Sequence, residues 1–285
     1  MRIASFARDG RACFGLVTGA DGIIDLGRRV PHADISAVLR AGALTALARF
    51  AGEAPDHRLG EVTLLPAVPD PRRKVLCVGL NYRAHVAESA GREVPENPRI
   101  FARLNDTVIG HGAPMWRPRN SAQFDYEGEL AVVIGRPGRH IPAARALDHV
   151  AAYTIFNDGS VRDFQKHSVT AGKNFPCTGP LGPWLVTADE IRDPGALTLT
   201  TRVNGEQRQH TSTGDMILGV RALIEYISAF TPLAPGDVIA TGTPEGVAHA
   251  RKPPPWLVPG DVVEIEISGI GTLRNPVIAE PDLPA

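Results

Sequence analysis

Asp125-Tyr126-Glu127-Gly128-Glu129-Leu130-Ala131-Val132-Val133-Ile134 is the stretch on which the reading turns. Its apolar run marks a strand whose first residues carry Glu127 and Glu129. Residues at i and i+2 of a strand point to the same face, so the two carboxylates share one side of the sheet. Set ~7 Å apart beside an apolar face, they repel and lose hydration, and one protonates unless positive charge sits between them. A divalent cation supplies that charge directly. The plainer alternative is an exposed strand end with two solvated glutamates.

Similar runs flank this strand: Lys74–Val78, Tyr153–Phe156, Trp184–Thr187, Leu197–Val203, Asp237–Ala240 and Val262–Ile267, all punctuated by Gly and Pro. Many short strands with few helices predict a chain that is α+β, mainly β, a compact mixed-β roll and not a doubly wound sheet. One long helix is expected where Met216, Val220, Leu223, Ile224, Ile227 and Phe230 form an apolar stripe, with Asp215 as its cap or first-turn acid. The first 70 residues read as a small β-rich domain. Ile3–Phe6 and Ala12–Val17 flank an Asp9-Gly10 turn, a short helical pair broken at Gly42 spans Asp34–Phe50, and the proline-rich Leu64–Arg73 marks the boundary. Residues 71–285 form the main domain.

Asp158 follows the strand-like Tyr153–Phe156 and offers a third carboxylate. Three carboxylates completed by water suit Mg²⁺ or Mn²⁺, with Ca²⁺ an alternative, and not zinc, which favours nitrogen and sulfur. If Asp158 opens a short helix, Arg162 and Gln165 fall on its face at i+4 and i+7. A surface ion pair of Arg162 with Asp158 is the competing reading.

Composition narrows the classes of function. The 285 residues are 43% hydrophobic and 21% charged with a formal net charge of −1, which fits a globular chain and offers no basic face for nucleic acid. No apolar stretch approaches ~20 residues and the amino terminus lacks a secretory pattern, so a cytoplasmic protein is expected. Cys13, Cys77 and Cys177 have neither the spacing of a zinc ribbon nor the even number of a disulfide framework. The glycine-rich segments lack the dinucleotide-binding pattern.

Taken together, the motifs resemble the fumarylacetoacetate hydrolase family from about Lys74 to Val277. The likeness is carried, in order, by Gly79-Leu80-Asn81-Tyr82-Arg83-Ala84-His85-Val86-Ala87-Glu88, Glu127-x-Glu129, Asn157-Asp158-Gly159-Ser160-Val161-Arg162-Asp163-Phe164-Gln165, Gly172-Lys173, Gly182-Pro183-Trp184, Val203-Asn204-Gly205, Pro235-Gly236-Asp237-Val238-Ile239 and Thr241-Gly242-Thr243-Pro244. The resemblance implies a mixed β-sandwich roll, a homodimer, and a metal site at Glu127, Glu129 and Asp158. It makes Arg162, Gln165, Lys173 and Thr243 the polar wall that receives substrate, and His85 with Glu88 the water-activating pair. Spacing agrees on the last point, since a carboxylate three residues on can orient an imidazole. Arg103 stands where many relatives carry lysine and is expected to bind a substrate carboxylate.

The implied activity is metal-dependent cleavage of a C–C bond in a small 2,4-dioxo acid of the acylpyruvate or fumarylpyruvate type, in catabolism of aromatic or related compounds. Hydrolysis leads because the His-Glu pair gives a reason to activate water. Isomerisation or decarboxylation of a 2-oxo acid rests on the same enolate chemistry, and a non-catalytic metal-stabilised binding protein is the reading of another class.

Overall fold

The strand that carries the glutamates runs from Gly128 to Ile134, and all its residues are buried. Leu130, Val132 and Ile134 face one hydrophobic core while Ala131 and Val133 face another, so the apolar run is continuous because both faces of the sheet are covered. A computed structural model of the chain describes residues 1–88 and 93–282.

This strand lies within one large sheet. Its order is His57–Arg58, Gly22–Asp25, Arg11–Thr18, Arg2–Arg8, Gly179–Thr187, Val150–Asn157, Gly128–Ile134, Val238–Ala240, Val75–Gly79 and Arg99–Arg103. Pairing along this path is antiparallel except between Val238–Ala240 and Val75–Gly79. A second sheet, ordered Glu206–Ser212, Thr198–Val203, Val262–Ile267, Gly271–Ala279 and Met115–Arg117, supplies Leu199, Ile265 and Leu273 to the first core, together with the apolar stripe of the helix Val220–Phe230. On the opposite face, Ile35, Val38, Leu39, Leu47 and Val68 close the second core. The result is a mainly β sandwich roll.

The amino-terminal strands turn at Asp9-Gly10, both at positive φ, and join the large sheet where Ile3 pairs with Leu185. Helix Ile35–Arg40, capped by the Asp34 side chain, and the 3-10 turn Leu44–Phe50 flank Gly42 as the pattern requires.

Two local expectations are corrected. The long helix starts at Val220, and Asp215 instead closes a 3-10 turn with Ser212. Asn81 is the reason: its backbone oxygen accepts from the Ile217 N–H at 2.7 Å and its side-chain oxygen from the Leu218 N–H at 2.9 Å, which holds those residues extended. Nor does Asp158 open a helix. Ser160–Val161 pairs with Phe124–Asp125 as a short ribbon, and the helix Arg162–Gln165 begins only after it.

Candidate active site

Antiparallel pairing places Gly128 opposite Asn157, so the start of one strand meets the end of the next. Glu127 and Asp158 project just beyond that edge. The Asp158 N–H donates to the Glu127 carbonyl at 2.9 Å, and the Glu127 N–H donates to the Asn157 side chain at 3.0 Å, which fixes the two acids relative to each other. The ends of Val75–Gly79 and Val238–Ala240 reach the same edge and bring Leu80 and Thr243 with them.

Glu127, Glu129 and Asp158 are all buried, with one carboxylate oxygen of each within 4.8 Å of the others. The Lys173 ammonium donates to Glu127 Oε2 at 2.7 Å and to Asp158 Oδ2 at 2.6 Å. Arg162 Nη2 lies 2.7 Å from Glu127 Oε1. Burial alone raises the Glu127 carboxyl, but Lys173 and Arg162 outweigh it and hold the group at about 2. Glu129 behaves oppositely. Burial pushes its carboxyl well above the usual range, and the neighbouring Asp158 and Glu127 charges push it further. Its hydrogen bond comes from the Gly242 N–H at 2.9 Å, and among the described residues it has no ion pair.

That under-neutralised carboxylate tests whether the site suits a metal. Asp125, Glu127, Glu129 and Asp158 set four negative charges against the three positive charges of Arg103, Arg162 and Lys173, a balance of −1 when all are ionised. Three buried oxygen donors with charge to spare fit a hard divalent ion.

A cavity of about 370 Å³ opens over these groups. His85, Arg162, Gln165, Lys173 and Thr243 line it together with Glu127 and Asp158. His85 Nδ1 is 2.7 Å from Glu88 Oε1, and Glu88 Oε2 accepts from the Gly246 N–H at 2.8 Å, so the pair is tied to the loop behind it. Gln165 accepts from Arg162 Nη1 at 2.9 Å, and the Thr243 hydroxyl donates to the Gly128 carbonyl at 3.1 Å.

Arg103 sits elsewhere. Its side chain is fully buried behind Asp158, donating to Oδ1 at 2.7 Å, to the Gly159 carbonyl at 3.0 Å and to the Thr178 hydroxyl at 2.6 Å, and it does not line the cavity. The structure therefore places it against an acid of the cluster and away from the position expected of a substrate contact. Asp125 is the converse case, a residue to which the sequence pattern alone assigns no role at the site. It is wholly buried, accepts from Arg162 Nε at 2.8 Å and from the Ala248 and His249 N–H groups, and orients Arg162. Its place at i−2 from Glu127 was the available signal.

Residues 74–278 match the family model described as fumarylacetoacetate (FAA) hydrolase C-terminal, and the chain belongs to that family of enzymes. It is 44% identical over 225 residues to the oxaloacetate tautomerase YisK of Bacillus subtilis, covering 78% of this chain and 75% of that protein. It is 39% identical over 273 residues to the mitochondrial oxaloacetate tautomerase Fahd2a of Rattus norvegicus, covering 93% and 87%. Among solved structures, the maleylpyruvate hydrolase of Sphingobium sp. SYK-6 in complex with manganese(II) ion and pyruvate superposes with a TM-score of 0.81 at 28% identity, covering 99% of this chain and 100% of that one.

Proposed function

We propose that the chain is a divalent-metal-dependent tautomerase of oxaloacetate or a closely related 2-oxo diacid. The observation that carries the choice of reaction is the likeness to two oxaloacetate tautomerases at 44% and 39% identity over most of the chain. It moves isomerisation ahead of the hydrolysis that the His-Glu pair first favoured. An Mg²⁺ or Mn²⁺ ion held by Glu127, Glu129 and Asp158 supplies, when bound, Lewis-acid stabilisation of negative charge on the 2-oxo oxygen.

The chain's own groups do the rest. Ketonisation of an enol removes a proton from O2 and delivers one to C3, leaving the formula unchanged. Protonated His85 delivers the C3 proton and is reprotonated from water, which takes up the O2 proton, and Glu88 orients the imidazole and balances its charge in the protonated state. Lys173 and Arg162, already fixed by buried carboxylates, are pre-set donors for charge that develops at O2 and the adjacent carboxylate. The same reading carries a homodimer, which light scattering checks as twice the 30.4 kDa chain mass.

A second reading, hydrolysis of an acylpyruvate, is favoured by the manganese and pyruvate complex of the maleylpyruvate hydrolase relative. The deciding experiment supplies Mn²⁺-loaded protein with enol-oxaloacetate and, separately, with acylpyruvates, follows loss of the enol absorbance and assays pyruvate and carbon dioxide in parallel. Accelerated ketonisation without pyruvate is the expected result. Pyruvate from acylpyruvates with no acceleration of ketonisation puts hydrolysis first, and carbon dioxide release from oxaloacetate puts decarboxylation first.

A further inference from the structure

The cations of the cavity fall into two groups. Lys173 directs its donors to Glu127, the Asp158 side chain and the Asp158 carbonyl, and Arg162 directs its own to Asp125, Gln165 and Glu127. Lys173 is engaged on all three of its bonds and Arg162 Nη2, ion-paired with Glu127, has no hydrogen bond among the described residues, so both are turned toward the acid cluster. Arg99 and Lys166 line the same cavity and are exposed, yet neither side chain has a hydrogen bond or ion pair among the described residues.

Strand geometry explains where Arg99 lies. Arg99, Phe101 and Arg103 alternate along one strand and share a face, which spans roughly 13 Å from first to last. Burial follows the same line: Arg103 is buried against Asp158, Phe101 is partly buried with its ring centroid 5.4 Å from the Lys173 ammonium, and Arg99 is exposed. That face therefore runs from the acid cluster to the cavity mouth. Lys166 reaches the cavity from a different wall, directly after the helix that carries Arg162 and Gln165.

We infer that Arg99 and Lys166 receive the far carboxylate of a dicarboxylic 2-oxo acid and so select diacids over monoacids of the same length. The inference rests on the 2-oxo acid reading of the site given above. A substrate held at its oxo-acid end by the buried groups extends toward the mouth, where unpaired cations meet a carboxylate but gain nothing from a methyl group. Arginine offers a planar fork that fits a carboxylate, and lysine adds a compact charge from the other side. Being exposed, the pair acts through screened electrostatics, so its selectivity falls with added salt.

The test is calorimetric titration of the Mn²⁺-loaded full chain with 2-oxoglutarate and 2-oxopentanoate, which differ only in a terminal carboxylate against a methyl group. The wild-type protein should bind the diacid at least about tenfold more tightly, a preference that shrinks at high salt. In the double variant Arg99→Gln with Lys166→Gln the preference should fall to about twofold or less, through loss of diacid affinity alone. The charge-conserving pair Arg99→Lys with Lys166→Arg should keep it. Equal loss of both ligands in the glutamine variant, or a preference that survives there, overturns the assignment. If the loaded wild-type protein binds neither acid, the 2-oxo acid reading fails first and takes this inference with it.

Discussion

Arg103 and Asp158 form a buried ion pair, Nη1 to Oδ1 at 2.7 Å, although they are 55 positions apart in the chain. The guanidinium is satisfied on three sides by Asp158, the Gly159 carbonyl and the Thr178 hydroxyl, and the other oxygen of Asp158 is held by Lys173. Asp158 is therefore fixed before any ligand arrives, and Arg103 acts by positioning it.

Arg103→Gln should lower Mn²⁺ affinity by about 10- to 100-fold, the usual scale for losing a group that orients a metal ligand. At saturating metal the Michaelis constant should change little. Calorimetry for the metal and steady-state kinetics for the substrate separate the two. A variant with normal Mn²⁺ affinity but a raised Michaelis constant would restore the direct substrate contact expected from the sequence.

Glu127 and Glu129 predict opposite pH dependences for the metal-free protein. Glu127 is held near 2, below its ordinary 4.5, so its stabilising contribution is present above 4.5 and is lost as pH falls toward 2. Glu129 is raised well above 4.5, so its contribution is complete below 4.5 and is lost as pH climbs through the raised value. The metal-free protein should accordingly melt at lower temperature as pH increases above 4.5 through that range, and Mn²⁺ should reverse the loss by holding Glu129 ionised. Glu129→Gln should flatten the alkaline side of the metal-free profile and abolish the Mn²⁺-induced rise in melting temperature. An unchanged profile in that variant would show that Glu129 is not the group responsible.

How much of this was legible in the sequence depended on range. Glu127 and Glu129 could be read together because strand alternation is local, and His85 with Glu88 because a helical turn is local. Asp125 obeys the same alternation, yet its role as the anchor of Arg162 depends on the 124–125 and 160–161 pairing, which brings segments 36 residues apart into register. That pairing also denies Asp158 a helical start. The true start of the helix at Val220 was likewise hidden, because Asn81 controls it from 137 positions away. Arg103 shows the limit most clearly, because only the assembled sheet directs its side chain to Asp158.

His85 lines the cavity but stands outside the acid cluster, and its tie to Glu88 is anchored by the Gly246 N–H. His85→Ala should therefore keep Mn²⁺ affinity within a few-fold while lowering turnover by at least ~10²-fold, the scale of a positioned general base. Glu88→Gln should fall between this variant and wild type, since the imidazole stays in place but loses the carboxylate that balances its charge. Weakened Mn²⁺ binding with normal turnover in His85→Ala would move the residue from proton transfer to support of the acid cluster.

Gly128 separates the two glutamates and faces the second sheet. A Cβ added there would stand 2.3 Å from Thr201 Oγ1, closer than real Cβ atoms approach, and 3.1 Å from Ile265 Cγ2, tighter than most real contacts. Its backbone is also engaged on both sides, the N–H donating to Gln209 Oε1 at 3.0 Å and the carbonyl accepting from Thr243 at 3.1 Å, so the strand cannot slide away freely. Gly128→Ala should cost about 1–3 kcal/mol by overpacking, and should weaken Mn²⁺ binding because any shift of this residue moves Glu127 and Glu129 together. Thr201 offers the relief. Its hydroxyl is buried without a hydrogen-bond partner among the described residues, so Thr201→Ala alone should be tolerated well and should recover most of the loss when combined with Gly128→Ala. A double-mutant cycle in urea, with Mn²⁺ affinity measured on each variant, reads both quantities. Additive losses in the double variant would show that the clash with Thr201 is not what requires glycine here.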